Sequence, residues 1–179
     1  MITSVYERQM ADYKQWMNAR LYEVAGRLPS EELSLDRGAF FGSILGTLHH
    51  VVNGDTGWLK RFANSPARSQ SLDPIRALDA PAALDEIRFA DLPDLFERRR
   101  MIDQVILDWA AELGDDDLEV TVTYVNMKGE THSKRLDALL MHFFNHQTHH
   151  RGQATTLLTQ CGHDIGVTDL LALLPDLRQ

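Results

Sequence analysis

The stretch Leu139-Leu140-Met141-His142-Phe143-Phe144-Asn145-His146-Gln147-Thr148-His149-His150-Arg151-Gly152-Gln153 decides how this chain is read. At about 100° per residue, His146 and His150 lie about 40° apart on a helical wheel and one turn apart along the axis. Leu139, Phe143, Gln153 and Leu157 share their stripe, which is therefore expected to face inward. Two imidazoles at i and i+4 can both reach one divalent ion, which is why this spacing recurs in helical zinc sites. His142 with His146 has the same spacing and is the rival pair. His146 with His150 ranks first because Gly152 removes a side chain beside His150. The helix is expected to run from Leu136 to Cys161, with Gly162 as its C-terminal stop.

Working outward, the residues before this helix change period. Leu118, Val120, Val122 and Tyr124 alternate with Glu119, Thr121 and Thr123, and Asn126-Met127-Lys128-Gly129 supplies turn residues. A β-hairpin over 118–134 is predicted. Upstream, Asp91-Leu92-Pro93-Asp94 reads as a helix start, and Phe96, Met101, Ile102, Val105, Ile106 and Trp109 carry the helical pattern to Gly114. A Ser-, Pro-, Asp- and Ala-rich connection occupies 65–90. It follows a helix expected from Phe41 to Phe62.

The first helix is expected from Thr3 to Leu28, with Val5, Met10, Tyr13, Trp16, Met17, Leu21, Val24 and Leu28 at helical spacing and Pro29-Ser30 closing it. The tail, Val167 to Leu174, is expected to hold one short turn. Four long helices, with no strand alternating with helix, predict an all-α four-helix bundle carrying a small hairpin between its third and fourth helices. The length of 179 residues suits one domain over 1–179.

Composition narrows the chemistry. Eight histidines stand against one cysteine, Cys161, so a thiolate-rich metal site and an intrachain disulfide are both excluded. Any metal must be held by imidazole. A formal charge of −8 argues against phosphate-backbone binding, so no nucleic-acid partner is expected. With neither a signal-like N-terminus nor a long apolar run, no membrane association is expected and a cytoplasmic location is the default.

The second helix offers His49 and His50. Phe41, Leu45, Leu48, Val52 and Leu59 form one apolar face, whereas Gly46, His50, Asn53 and Gly57 share the nearly opposite side. Those small residues either let another helix approach or leave room for a metal beside His50. His49 lies between the two faces, and the wheel leaves it open. No His-Glu-x-x-His string, nucleophile elbow or phosphate loop is present. Cys161 reads as a buried or helix-end residue, and Arg98-Arg99-Arg100 as a solvated face. His132 and His163 receive no role.

The string from Phe143 to Gln153, together with Gly46-Thr47-Leu48-His49-His50, Asp55, Trp58 and Arg37-Gly38-Ala39-Phe40-Phe41-Gly42-Ser43, resembles the DinB/YfiT-like family, named for DNA-damage-inducible members. The closing Gly166-Val167-Thr168-Asp169-Leu170 is similar to one branch of it, so the resemblance spans nearly the whole chain. One departure is His49, where asparagine is more usual in that branch. The resemblance implies an up-down-down-up order for the four helices and a metal held by His50, His146 and His150. Members of the wider superfamily resemble thiol-dependent S-transferases and isomerases that use low-molecular-weight thiols.

Three neutral imidazoles with open positions are the pattern of a catalytic rather than a closed structural site. The expected function is therefore a metal-dependent enzyme, of thiol-dependent S-transferase or hydrolase type, acting on a small-molecule substrate with a low-molecular-weight thiol as partner. The alternative is a non-catalytic metal- or ligand-binding bundle in a stress response. Imidazole ligands suit Zn or Ni first, with Fe or Cu also open. Asp55 is the candidate acid/base or supporting group, with a surface salt bridge as its bland alternative, and Gln153 is placed to hydrogen-bond near the site. Since each ligand must be neutral, binding is expected to weaken as pH falls towards and below about 6.5. A homodimer is compatible with apolar outer residues.

Overall fold

The computed structural model describes residues 2–66 and 69–177. The fold is mostly helical. Among the described residues there are six α-helices, α1 (Ser4–Ala25), α2 (Ser30–Ser34), α3 (Ile44–Ala63), α4 (Asp73–Arg76), α5 (Leu92–Glu112) and α6 (Leu136–Gln160). Strands β1 (Thr121–Val125) and β2 (Thr131–Arg135) pair antiparallel, from Thr121 opposite Arg135 to Val125 opposite Thr131. Single 3₁₀ turns occupy Gln70–Leu72, Asp116–Glu119 and Leu170–Leu173. No helix among them is long and apolar enough to cross a membrane.

Local chemistry sets the ends of these elements. The Thr3, Ser43 and Asp91 side chains accept from backbone N–H groups in the first turns of α1, α3 and α5, satisfying donors that lack helical partners. Helix α6 ends as its sequence indicates: Gly162 adopts φ +81°, and the Gly162 and His163 amides donate to Thr159 and Leu158. Ser43 also corrects the expected start of α3. Capping there leaves Phe41 outside the helix, with its carbonyl where a Cβ on residue 46 would sit, so position 46 has room for glycine alone.

Helix α1 packs chiefly against α5, and α3 against α6, with α1 also touching α6 and α3 touching α5. Phe62 stacks on Trp109 and meets Phe143 edge-on in the core between α3, α5 and α6. The tail is fastened to α1, where Tyr13 donates to the Thr168 carbonyl at 2.6 Å and Arg20 to that of Ile165 at 2.8 Å.

Two expectations are corrected inside this core. The buried side of α1 carries Glu7, Lys14 and Asn18 beside Ala11, Met17 and Leu21, while Val5 is exposed and Met10, Tyr13 and Trp16 are half-buried. The Arg98–Arg100 run is likewise no solvated face at its centre, because Arg99 is 0% exposed. Glu7 stands apart, its carboxyl without a hydrogen-bond partner among the described residues, but Lys14, Asn18 and Arg99 are inside for one reason. Charges from α1, α3 and α5 neutralise one another inside the protein, and a buried charge is tolerated where it is paired.

Candidate metal centre

Helix α3 is buried on nearly every side from Ile44 to Thr56, because the 84–89 segment of the long connection covers its histidine face. Three polar side chains of α3 fasten that segment through its backbone. His49 Nε2 accepts from the Phe89 amide at 3.2 Å, His50 Nδ1 donates to the Leu84 carbonyl at 3.1 Å, and Asn53 donates to the Glu86 carbonyl at 2.8 Å. His49 also donates from Nδ1 to the Leu45 carbonyl at 2.9 Å. Both of its ring nitrogens are thus committed to backbone groups, which removes it as a ligand.

His50 presents its free Nε2 across the α3–α6 seam, 3.1 Å from His146 Nε2. His150 donates from Nδ1 to Gln153 Oε1 at 2.7 Å, which leaves its own Nε2 bare. One nitrogen from each of His50, His146 and His150 lies within 4.8 Å of the others. Ligands bound at about 2.1 Å in a tetrahedron are themselves about 3.4 Å apart, so this grouping fits a single divalent ion. The hydrogen bonds from Nδ1 to oxygen at His50 and His150 are the partners that fix tautomer and ring direction in histidine metal sites.

The close approach of α3 and α6 rests on Gly54, since a Cβ there would lie 3.0 Å from His146 Cε1. Gly152 has no such part: it is exposed and a Cβ there would meet nothing within 4 Å, so it gives no reason to prefer His150. The rival residue, His142, stands edge-on to Trp58 and outside the three-nitrogen group. Phe41 covers the centre, stacked on His50 with ring centroids 3.8 Å apart and edge-on to His150. Neither Phe41 nor Leu84 is legible as a site residue in sequence, since one acts from an irregular turn and the other through its carbonyl.

Burial pulls His50 down to about 4, and burial together with neighbouring His150 does the same to His146. His150 is also lowered by burial. All three imidazoles are therefore neutral at pH 7, as ligation requires.

Asp55 lies beneath the centre and lines neither of the two cavities that reach it. It is 0% exposed, pairs with Lys14 at 3.0 Å and with Arg99, and accepts from Gln147, the neighbour of His146. Arg99 continues to Asp103 at 2.9 Å, which Asn18 contacts in turn. Burial alone would raise the Asp55 pKa, but Lys14 and Arg99 hold it below its ordinary value. The surface salt-bridge alternative is thereby corrected to a buried network. Lys14, Arg99 and Gln147 had a faint sequence signal, a polar residue at helical spacing among apolar ones, such as Arg99 between Leu95, Ile102 and Ile106.

A cavity of about 910 Å³ opens on one side of the centre, between Phe41, Leu84, Ile87 and the acidic Asp36 and Asp85. A second, of about 740 Å³, opens beside His146, between α3, β1 and the connection at Ala80, Pro81 and Leu84. Cys161 sits past the end of α6, its Sγ against the Leu157 carbonyl, and lines neither.

A group of three histidines at the seam of two long helices, supported by carbonyl oxygens and opening on two cavities, defines a helical protein with a candidate metal centre. The chain belongs to the DinB family, whose model matches residues 1–176. It is similar to Protein DinB of Bacillus subtilis (strain 168), with 27% identity over 161 residues that cover 90% of this chain and 89% of that one. Family membership and the histidine group are together compatible with metal binding.

Proposed function

We propose that this protein is a metal-dependent enzyme in which His50, His146 and His150 hold a divalent ion, Zn or Ni before Fe, for a thiol-dependent S-transfer or hydrolysis on a small molecule. The observation that carries the reading is the convergence of three imidazole nitrogens within 4.8 Å at the junction of two cavities. When bound, such an ion supplies a Lewis acid with open positions, able to lower the pKa of water to about 7 or of a thiol that enters there.

The chain's own residues do the rest. Leu84 and Gln153 take the Nδ1 protons of His50 and His150, so both rings keep one tautomer and aim Nε2 inward. Phe41 shields His50 from water. Asp55 acts from below through its charge, favouring a cation above it, and is given no contact with substrate. With Cys161 remote from both cavities, a reacting thiol has to come from outside the chain.

We also read α1, α3, α5 and α6 as an up-down-down-up bundle in one domain. The pairing of α1 with α5 and of α3 with α6, across long connections, supports that order. The functional test is to incubate metal-loaded protein with a low-molecular-weight thiol and an electrophile such as monochlorobimane. Thiol consumption that His150→Ala abolishes supports the enzyme. Bound metal with no turnover favours a non-catalytic metal-binding bundle.

A further inference from the structure

The second cavity differs in character from the first. Arg61 stands on its wall with its guanidinium 4.5 Å from the Trp58 ring centroid and 5.1 Å from that of Tyr124. Burial draws its pKa down against the pull of the Tyr124 phenol, its charge in turn lowers His142 on the same wall, and no carboxylate pairs with it among the described residues. A guanidinium held between aromatic faces and partly stripped of water has its planar fork free for an oxyanion. Nearby Lys60 is committed to carbonyls of the connection, including that of Arg76 at 3.3 Å, which fixes the cavity wall.

The floor between Arg61 and the histidine centre is made of glycine. Gly54, Gly57, Trp58 and Arg61 follow His50 along one side of α3, and a Cβ on Gly57 would meet nothing within 4 Å. Seven residues separate Gly54, which touches His146, from Arg61, a rise of about 10 Å. A flat molecule of that length would lie over the glycines with one end at His146 and the other at Arg61. The opposite cavity has Asp36 and Asp85 and no Lys or Arg in its wall, whereas here Lys60, Arg61 and Lys128 outnumber the one carboxylate, Glu130, so an anion is favoured on this side.

We propose that the cavity between α3, β1 and Ala80–Leu84 binds the substrate of the histidine centre through a carboxylate on Arg61, with a flat unsaturated body against Trp58 and Tyr124. The assignment rests on the metal-centre reading for what happens at the His146 end, but not for binding itself. Calorimetric titration of the purified protein with cinnamate and with cinnamamide, of equal shape and different charge, tests it. Cinnamate binds about tenfold tighter than the amide, the worth of one charge-assisted forked contact. Arg61→Met removes that preference, and Gly57→Leu weakens both ligands by about tenfold or more by filling the floor. Metal content, measured alongside, stays at the wild-type level in both variants. Equal affinity for acid and amide, no binding of either at about 10 mM, or a preference that survives Arg61→Met overturns the proposal. Loss of metal from the wild type contradicts the centre instead.

Discussion

His50 Nε2 and His146 Nε2 approach to 3.1 Å across the α3–α6 seam. Because His50 carries its proton on Nδ1, bound to the Leu84 carbonyl, the nitrogen it turns to His146 is a bare lone pair. His150 is held in the same way by Gln153. Two bare nitrogens turned into one space repel each other unless a proton or a cation stands between them. The consequences reach the neighbouring histidine, the buried charges and the pH response.

His49, fully buried beside His50, is expected to serve structure alone. His49→Ala leaves the Phe89 amide without an acceptor and costs about 1–3 kcal/mol in urea unfolding. Its bound metal, measured by mass spectrometry, remains at the wild-type level. Loss of metal equal to that of His50→Ala would place His49 among the ligands.

Asp55 neutralises two buried cations, Lys14 and Arg99, whose side chains are 1% and 0% exposed. Asp55→Ala strands Lys14 and leaves Arg99 with Asp103 alone, and is expected to cost about 3–5 kcal/mol. Burial holds Lys14 down to about 7, so replacing it with Met in the same background recovers part of the loss. Denaturation midpoints of the single and double variants give the coupling. Additive effects would show that the pair is not linked.

The pH response of the metal-free protein follows from the lowered histidines. Unfolded, these imidazoles titrate near 6.5, whereas burial holds His50 and His146 at about 4 in the fold. Between those values the unfolded chain binds more protons, so their stabilising contribution is complete above about 6.5 and is lost as pH falls towards 4. Ligation follows the folded value, and metal is expected to survive pH 6 rather than weaken from 6.5. Urea midpoints between pH 7 and 4, with metal content after dialysis at pH 6, check both statements. Complete metal release at pH 6 would contradict the second.

Glu7 gives the opposite slope. Its carboxyl is buried with no hydrogen-bond partner among the described residues, and burial, with Asp137 nearby, raises it to about 8. A raised folded value means that the stability it contributes is present below about 4.5 and is lost as pH rises through 8. Glu7→Gln should therefore be neutral at pH 5 and stabilising by on the order of 2 kcal/mol at pH 9. Equal effects at both pH values would refute the assignment.

How far the sequence carried the fold and the site depended on whether the signal was local. Helical spacing placed His146 beside His150, Asp91 began α5, and Gly162 ended α6, each decided by neighbours a turn away. Resemblance, not spacing, singled out His50; the two backbone contacts that occupy both nitrogens of its neighbour His49 are not foretold by spacing. The buried side of α1 was misplaced because the partners that allow Lys14 and Asn18 inside, Asp55 and Asp103, lie on other helices. Phe41 and Leu84 were invisible for a similar reason. Each acts on His50 from a segment whose course is fixed only by the assembled fold.

The central claim is that His50, His146 and His150 hold one metal ion. Elemental analysis of protein purified without a histidine tag, as wild type and as the His146→Ala, His150→Ala double variant, measures it most directly. About one divalent ion per chain in the wild type, and less than about a tenth of that in the variant, is the predicted result. Equal metal content in the two proteins would contradict it.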